Sequence, residues 1–348
     1  MCAPSLTQLP VVPRPARDER LSSWLNRLAQ FYAMPINVFL ADCGLNRNGA
    51  AALEWRLGEG EGAILACRTG MTVEALRTMT FEKIAPQARL MIAPGNRYVC
   101  PGCPAGIHPK RRAFPWNFWC REHNLRLAAS GGRNLEEWFP ETVLALLDFS
   151  AHDGAMRLAD WAHGRDEGVP SVPQLLDFLT TRHRKSSPPS LAEQPILSLE
   201  ARRANHDFLT RPIARQALLI VVPEYDRVAP VLAKPVRAGL LSLAQGSLLQ
   251  NFALTAGLGR MSTDPVGYAA MVLWASDGEG EHRLRQALRG WPLALRRRIY
   301  GRFQRLNRIE AQASHATGWR SLTNSDSPSL TITLGESHNH ARDRRPSP

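Results

Sequence analysis

Long apolar runs are what this chain of 348 residues lacks most plainly. A membrane span needs about 20 consecutive apolar residues, and the run from Ala217 to Val222 stops at Pro223. The N-terminal stretch MCAPSLTQLPVVPRPARDER is rich in proline and has no apolar signal core, which argues against secretion. Acidic residues are also in deficit. Against 43 Lys and Arg stand 31 Asp and Glu, a formal charge of +12. The hydrophobic fraction of 44% is ordinary, so most of the chain can bury a core and a disordered basic tail does not describe the whole. These readings lead to the expectation of a soluble cytoplasmic protein. A surplus of this size points toward nucleic acid, although it also serves solubility.

Catalytic motifs are missing too. No phosphate-cradling G-x-x-x-x-G-K-S/T loop is present, because Gly257-Leu-Gly259-Arg260 lacks the Lys and hydroxyl that hold phosphate and magnesium. There is no H-E-x-x-H and no G-x-S-x-G elbow. The pairs His152-Asp153 and His206-Asp207 fall on helical segments, where adjacent residues point apart, and read as surface polar residues. The expectation is a protein without catalytic residues, not an enzyme.

Cysteine is present in a pattern. Cys2, Cys43 and Cys67 are scattered, and the density is too low for a secreted disulfide scaffold. All six are expected as reduced thiols, with Cys43 and Cys67 in the core. Cys100-Pro-Gly-Cys103 is followed by Cys120-Arg-Glu-His123, a C-x2-C-x16-C-x2-H pattern. Two closely spaced ligand pairs on tight turns suit a tetrahedral zinc ion, and Gly102 permits the first turn. Four protein ligands leave no open position, so one structural zinc site is expected at Cys100, Cys103, Cys120 and His123. Between the pairs lie Lys110, Arg111 and Arg112, candidates for phosphate contact or a solvated loop, with Trp116 and Trp119 packing nearby.

Helical spacing dominates the remainder. Leu21, Trp24, Leu25, Leu28 and Phe31 share one face of a helical segment that begins at Asp18. Pro35 suits the start of a second helix ending near Gly44, and Gly58 to Gly62 reads as a flexible stretch. A helix through Ile64 and Leu65, a turn at Thr69-Gly70-Met71 and a helix from Thr72 to Met79 have helix-turn-helix spacing, which an ordinary helical hairpin shares. Helical periodicity returns at Leu135 to Phe149 and around Met156 to Trp161. Thr181 to Pro195 reads as a linker, followed by helices at 201–222, 236–254, 265–274, 281–288 and 292–313. The last is basic: Arg296, Arg297, Arg298, Arg302, Arg305 and Arg308 surround an apolar stripe of Leu295, Ile299, Phe303 and Leu306. Such a helix could lie along a phosphate backbone or present a solvated face.

The fold class is therefore mainly α, with a small zinc module. The expected order is an N-terminal arm (1–17), a helix-turn-helix-like domain (18–96), the zinc-binding module (97–130), a helical segment (131–180), a linker (181–200), a C-terminal helical domain (201–320) and a disordered tail (321–348). Trp24 and Arg27 are candidate contact residues, with a core position the stronger reading for Trp24.

Pro13 to Ala29, Arg68 to Thr80, and the block Cys100, Cys103, Trp119, Cys120 and His123 resemble the TniQ family of bacterial transposition proteins. The resemblance covers roughly the first 130 residues. It implies a target-selection adaptor of a mobile genetic element that binds target DNA, or in some systems a guide-RNA complex on DNA. Such an adaptor recruits an AAA+ ATPase and through it a DDE transposase; a homodimer is left open. Many members carry a further Cys-x2-Cys after the Cys-x2-His pair. Here that stretch is Leu127-Ala-Ala-Ser-Gly-Gly132, so a second zinc site is not expected. The alternative from another class is a zinc-containing helix-turn-helix transcriptional regulator.

Overall fold

The computed structural model describes residues 7–45, 49–104, 106–129, 134–186, 213–226, 228, 237–276 and 278–318. Five helices open the chain: α1 (Leu21–Phe31), α2 (Ile36–Asp42), α3 (Ala50–Trp55), α4 (Glu59–Thr69) and α5 (Val73–Thr78). Their shared core holds Leu21, Trp24, Leu25 and Leu28 of α1 against Phe39, Leu53, Leu65 and Leu76. Trp24 is fully buried and its indole N–H donates to the Pro13 carbonyl at 2.8 Å, so it anchors the arm and is no contact residue. Phe31 departs from the expected stripe, being 53% exposed with its ring edge against Tyr32.

The glycine-rich stretch 58–62 is not flexible; it starts α4. The Glu61 carboxylate turns back to accept from the Gly58 N–H at 2.9 Å, and Glu59 and Glu61 face the positive end of the helix dipole. Gly62 is buried, and a Cβ there would meet Val73 Cγ1 at 3.0 Å. A larger residue would press on the Val73 side chain where α4 packs on α5. Gly70, at φ +70°, ends α4 in the left-handed conformation, and Thr72 Oγ1 caps α5 by accepting from the Ala75 N–H.

Two short antiparallel pairs build the module that follows. β1 (Tyr98–Val99) pairs with β4 (Ala128–Ala129), and β2 (Trp119–Cys120) pairs with β3 (Leu125–Arg126). Next come α6 (Glu141–Ala162) and α7 (Val172–Thr180). The expected linker begins instead with a strand: β5 (Arg182–Ser186) pairs with β6 (Ile213–Gln216), inside the helix expected over 201–222. Short helices α8 (Leu218–Val221), α9 (Pro223–Asp226) and α10 (Leu240–Ala244) lead to α11 (Leu248–Thr263), α12 (Pro265–Trp274), α13 (Gly278–Ala287) and α14 (Leu293–Gly318). The helix expected over 236–254 is broken at Gly246, and Ser247 Oγ caps α11 anew. The expected tail and His206-Asp207 lie outside the described residues. Residues 1–304 pack as one unit and 305–348 form a second, in which the described part continues α14 with exposed Arg305 and Arg308.

α6 and α11 cross in direct contact. A Cβ on Gly154 would lie 1.9 Å from the Thr255 carbonyl oxygen, and one on Gly259 would lie 2.0 Å from that of Ser150. Only glycine at both positions lets the backbones approach this closely, since the obstacle is main chain that cannot swing aside. Cys67 is half-buried and so departs from the expected core position, while Cys43 is fully buried as a free thiol. Gly154→Ala should lower stability by about 1–3 kcal/mol, as overpacking does. An unchanged denaturant midpoint would exclude this crossing.

Candidate metal centre

The hairpin β2–β3 and the end of β1 bring four ligand atoms together. Cys120 sits at the end of β2, His123 in the turn before β3, and Cys100 directly after β1. The first pair closes as a turn in which the Cys103 N–H donates to the Cys100 carbonyl at 3.3 Å. Gly102 is needed here for space, because a Cβ would stand 3.0 Å from the His123 ring. Asn124, at φ +49°, completes the hairpin turn, a conformation that asparagine tolerates.

The sulfurs of Cys100, Cys103 and Cys120 and Nδ1 of His123 all lie within 4.8 Å of one another. His123 Nδ1 stands 3.6, 3.3 and 3.5 Å from the three sulfurs in that order, and Cys103 Sγ lies 3.7 Å from Cys120 Sγ. A tetrahedron with metal–sulfur bonds of about 2.3 Å and metal–nitrogen bonds of about 2.0 Å has edges of about 3.5–3.8 Å. The donor set fits a tetrahedral cation, and the cluster can hold a metal ion.

The surroundings prepare the thiols for ionisation unequally. Burial raises the Cys120 pKa, but hydrogen bonds from the backbone and ring of His123 and the backbone of Glu122 outweigh it and draw the thiol down to about 6. Burial, with thiol hydrogen bonds to Cys120 and Cys100 opposed by Arg112, pushes Cys103 up to about 11. Both thiols must be deprotonated to ligate, so metal uptake releases protons.

Arg112 corrects the expectation for the basic loop. It is 2% exposed, and its Nη2 donates to Cys103 Sγ at 2.7 Å and Cys120 Sγ at 3.1 Å. Three thiolates and a neutral imidazole around a divalent cation would leave one negative charge, which this guanidinium is placed to balance. It is turned inward and is not offered to an external phosphate. Lys110 is half-buried and donates to the carbonyls of Thr78 and Thr80, and burial lowers its pKa. Arg111 pairs with Glu122 at 3.3 Å and faces Asp18 at 4.0 Å. Arg27, expected at a contact surface, forms a two-point pair with the buried Glu19 through Nε and Nη2 and reaches the Arg14 carbonyl.

On α14 the arginines are placed differently. Arg297 and Arg298 are exposed and have no side-chain partner among the described residues. Arg296 is half-buried, and Arg302 stands 3.6 Å from Asp264. Sequence reading missed Arg126, which donates to Glu141 and Asp148 of α6 and lies 5.0 Å over the Trp119 ring. Its place three residues after His123 carries no motif, because its partners come from another element.

Arg112→Met, which keeps volume but removes the donors, should release metal about 10–100-fold more readily in chelator competition, as loss of an outer-shell partner does. Cys120→Ala should abolish stoichiometric binding. Retention equal to wild type in the Arg112 variant would remove the guanidinium from the site.

No helix among the described residues is long and apolar enough to cross a membrane. No curated protein and no solved structure matches the chain. The TniQ family model matches residues 10–127, a span that takes in the arm from Pro10, all five N-terminal helices and all four metal-ligand positions. Residues 10–127 are thus similar to the TniQ family, which the rest of the chain extends beyond.

Proposed function

We propose that the protein is a non-enzymatic adaptor in DNA transposition that helps select the target site and recruits an AAA+ ATPase, and through it a DDE transposase. The observation that carries this reading is the family match over 10–127 with the metal tetrahedron assembled inside it. The metal is zinc, since three thiolates and an imidazole in tetrahedral array suit it, and four protein ligands make its role structural. Cys100, Cys103, Cys120 and His123 would hold the ion and tie the hairpin to the β1 turn. Nucleic acid, whether target DNA or a guide-RNA complex, meets the exposed guanidiniums of α14. Arg297 and Arg298 lead this set, being exposed and unpaired among the described residues. Arg302, Arg305 and Arg308 are exposed on the same helix.

The transcriptional-regulator reading draws support from α4, the Gly70 turn and α5, which form a helix pair joined by a tight turn. Affinity isolation after nuclease treatment separates the two. An AAA+ ATPase recovered with the protein is expected; promoter DNA recovered without an ATPase would overturn the adaptor reading. Elemental analysis should give one zinc per chain. For α14, the Arg297→Ala/Arg298→Ala variant should reduce the slope of log affinity against log salt by about 2 for duplex DNA, one unit per lost phosphate contact. A folded double variant with an unchanged slope would take these two arginines out of the interface.

A further inference from the structure

A cleft of about 570 Å³ opens between the metal module and α6, within the 300–1,000 Å³ that is typical of binding pockets. Its floor is aromatic: Phe81, Phe114, Trp116 and Phe118 line it, each no more than 7% exposed. The α6 wall is made of small residues, with Ala151, Ala155, Ala159 and Ala162 recurring at helical spacing. Such a wall leaves room where larger side chains would have filled the gap. Met156 lines the mouth and is 49% exposed; Phe149 and Leu146, earlier on the same helix, are 73% and 66% exposed. Apolar surface thus runs outward from the cleft, as at sites that receive a partner.

The polar groups of the lining have one sign to spare. Each of its two carboxylates meets an arginine: Asp18 accepts from the Arg111 N–H and faces its guanidinium, and Asp148 pairs with Arg126 at 2.6 Å through Oδ2, its Oδ1 being buried without a hydrogen-bond partner. Arg17 and Arg121, both exposed, have no side-chain partner among the described residues. Asn117 contributes a buried Nδ2 with no hydrogen-bond partner. The exposed, unpaired charge at the cleft is therefore cationic, around an apolar interior.

We propose that this cleft docks a peptide segment of a partner protein, with one or two bulky apolar side chains inserted against the aromatic floor and acidic residues meeting Arg17 and Arg121. A base-stacking role for nucleic acid fits less well. The one half-exposed ring at the site, Trp119, is covered by the Arg126 guanidinium at 5.0 Å, and two separated guanidiniums do not track a phosphate backbone. The inference stands on the cleft alone and does not depend on the adaptor reading.

Phage-displayed random dodecapeptides panned on the full chain, with counter-selection on Ala155→Trp, test it. Enriched sequences should combine Trp, Phe or Leu with Asp or Glu. The strongest peptide, fluorescently labelled, should bind at least about tenfold more weakly to Ala155→Trp and to Arg17→Glu/Arg121→Glu. The second variant changes only exposed side chains, so it keeps the test if the first fails to fold. No enrichment over the counter-selection, enriched sequences without acidic residues, or affinity unchanged in the charge-reversed variant would overturn the proposal. So would a single-stranded oligonucleotide that displaces the peptide and is itself weakened by Ala155→Trp.

Discussion

The buried guanidinium of Arg20 is the junction on which the N-terminal third of the molecule depends. Its Nε meets the Glu54 carboxylate of α3 at 2.8 Å, with both side chains at most 6% exposed. Its two Nη groups donate to the carbonyls of Ala93, Pro94 and Gly95, the loop that delivers the chain into β1. One cation thereby satisfies three inward-facing carbonyls and pairs with a carboxylate whose charge burial disfavours. Breaking such a pair by removing one partner typically costs about 3–5 kcal/mol, because the remaining charge stays buried. The neighbouring backbone extends the join. The Arg20 N–H donates to the His108 carbonyl at 3.0 Å, and the Lys110 N–H donates to the Asp18 carbonyl at 2.7 Å. Asp18-Glu19-Arg20 is therefore a seam between the helical domain and the metal module, not the first turn of a helix.

Local pattern made the metal ligands and the apolar face of α1 legible in the sequence. Cys100, Cys103, Cys120 and His123 are close in pairs and carry distinctive chemistry, so spacing alone nominates them. Helix α12 matches its expected span of 265–274, since Asp264 caps it and Pro265 opens it. What escaped is non-local. Gly154 and Gly259 face main chain across the α6–α11 crossing and Gly62 faces Val73, neighbours that the sequence does not reveal. Strands β5 and β6 were hidden because a polar segment becomes a strand only when its partner, Ile213–Gln216, arrives from beyond the intervening residues.

Charge was the least legible property. A surplus of twelve pointed toward nucleic acid, but the arginines divide by role. Arg20 and Arg112 are in the interior, Arg126 spans from the hairpin to α6, and Arg27 holds the N-terminal arm through Glu19 and the Arg14 carbonyl. A guanidinium can satisfy several acceptors in one plane, so it serves as internal scaffolding where a backbone turn presents carbonyls without partners. Counting cations therefore overstates the charge available to nucleic acid. The exposed positions of α14, and Arg17 and Arg121 at the cleft, are among what the count leaves once the structural arginines are set aside.

The family match stops at residue 127, but the packing does not. The Tyr98 phenol receives a hydrogen bond from the Asn251 amide at 2.9 Å, Phe118 meets Phe252 edge to face at 5.1 Å, and Arg97 donates to the Ala244 carbonyl. The matched block is thus roofed by α11, a helix from far along the chain. Sequence kinship and cooperative folding have different boundaries here. A relative that keeps residues equivalent to 10–127 but replaces the C-terminal helices must supply another apolar roof for these two rings, and evolution of the distal half is tethered to the metal module through that requirement.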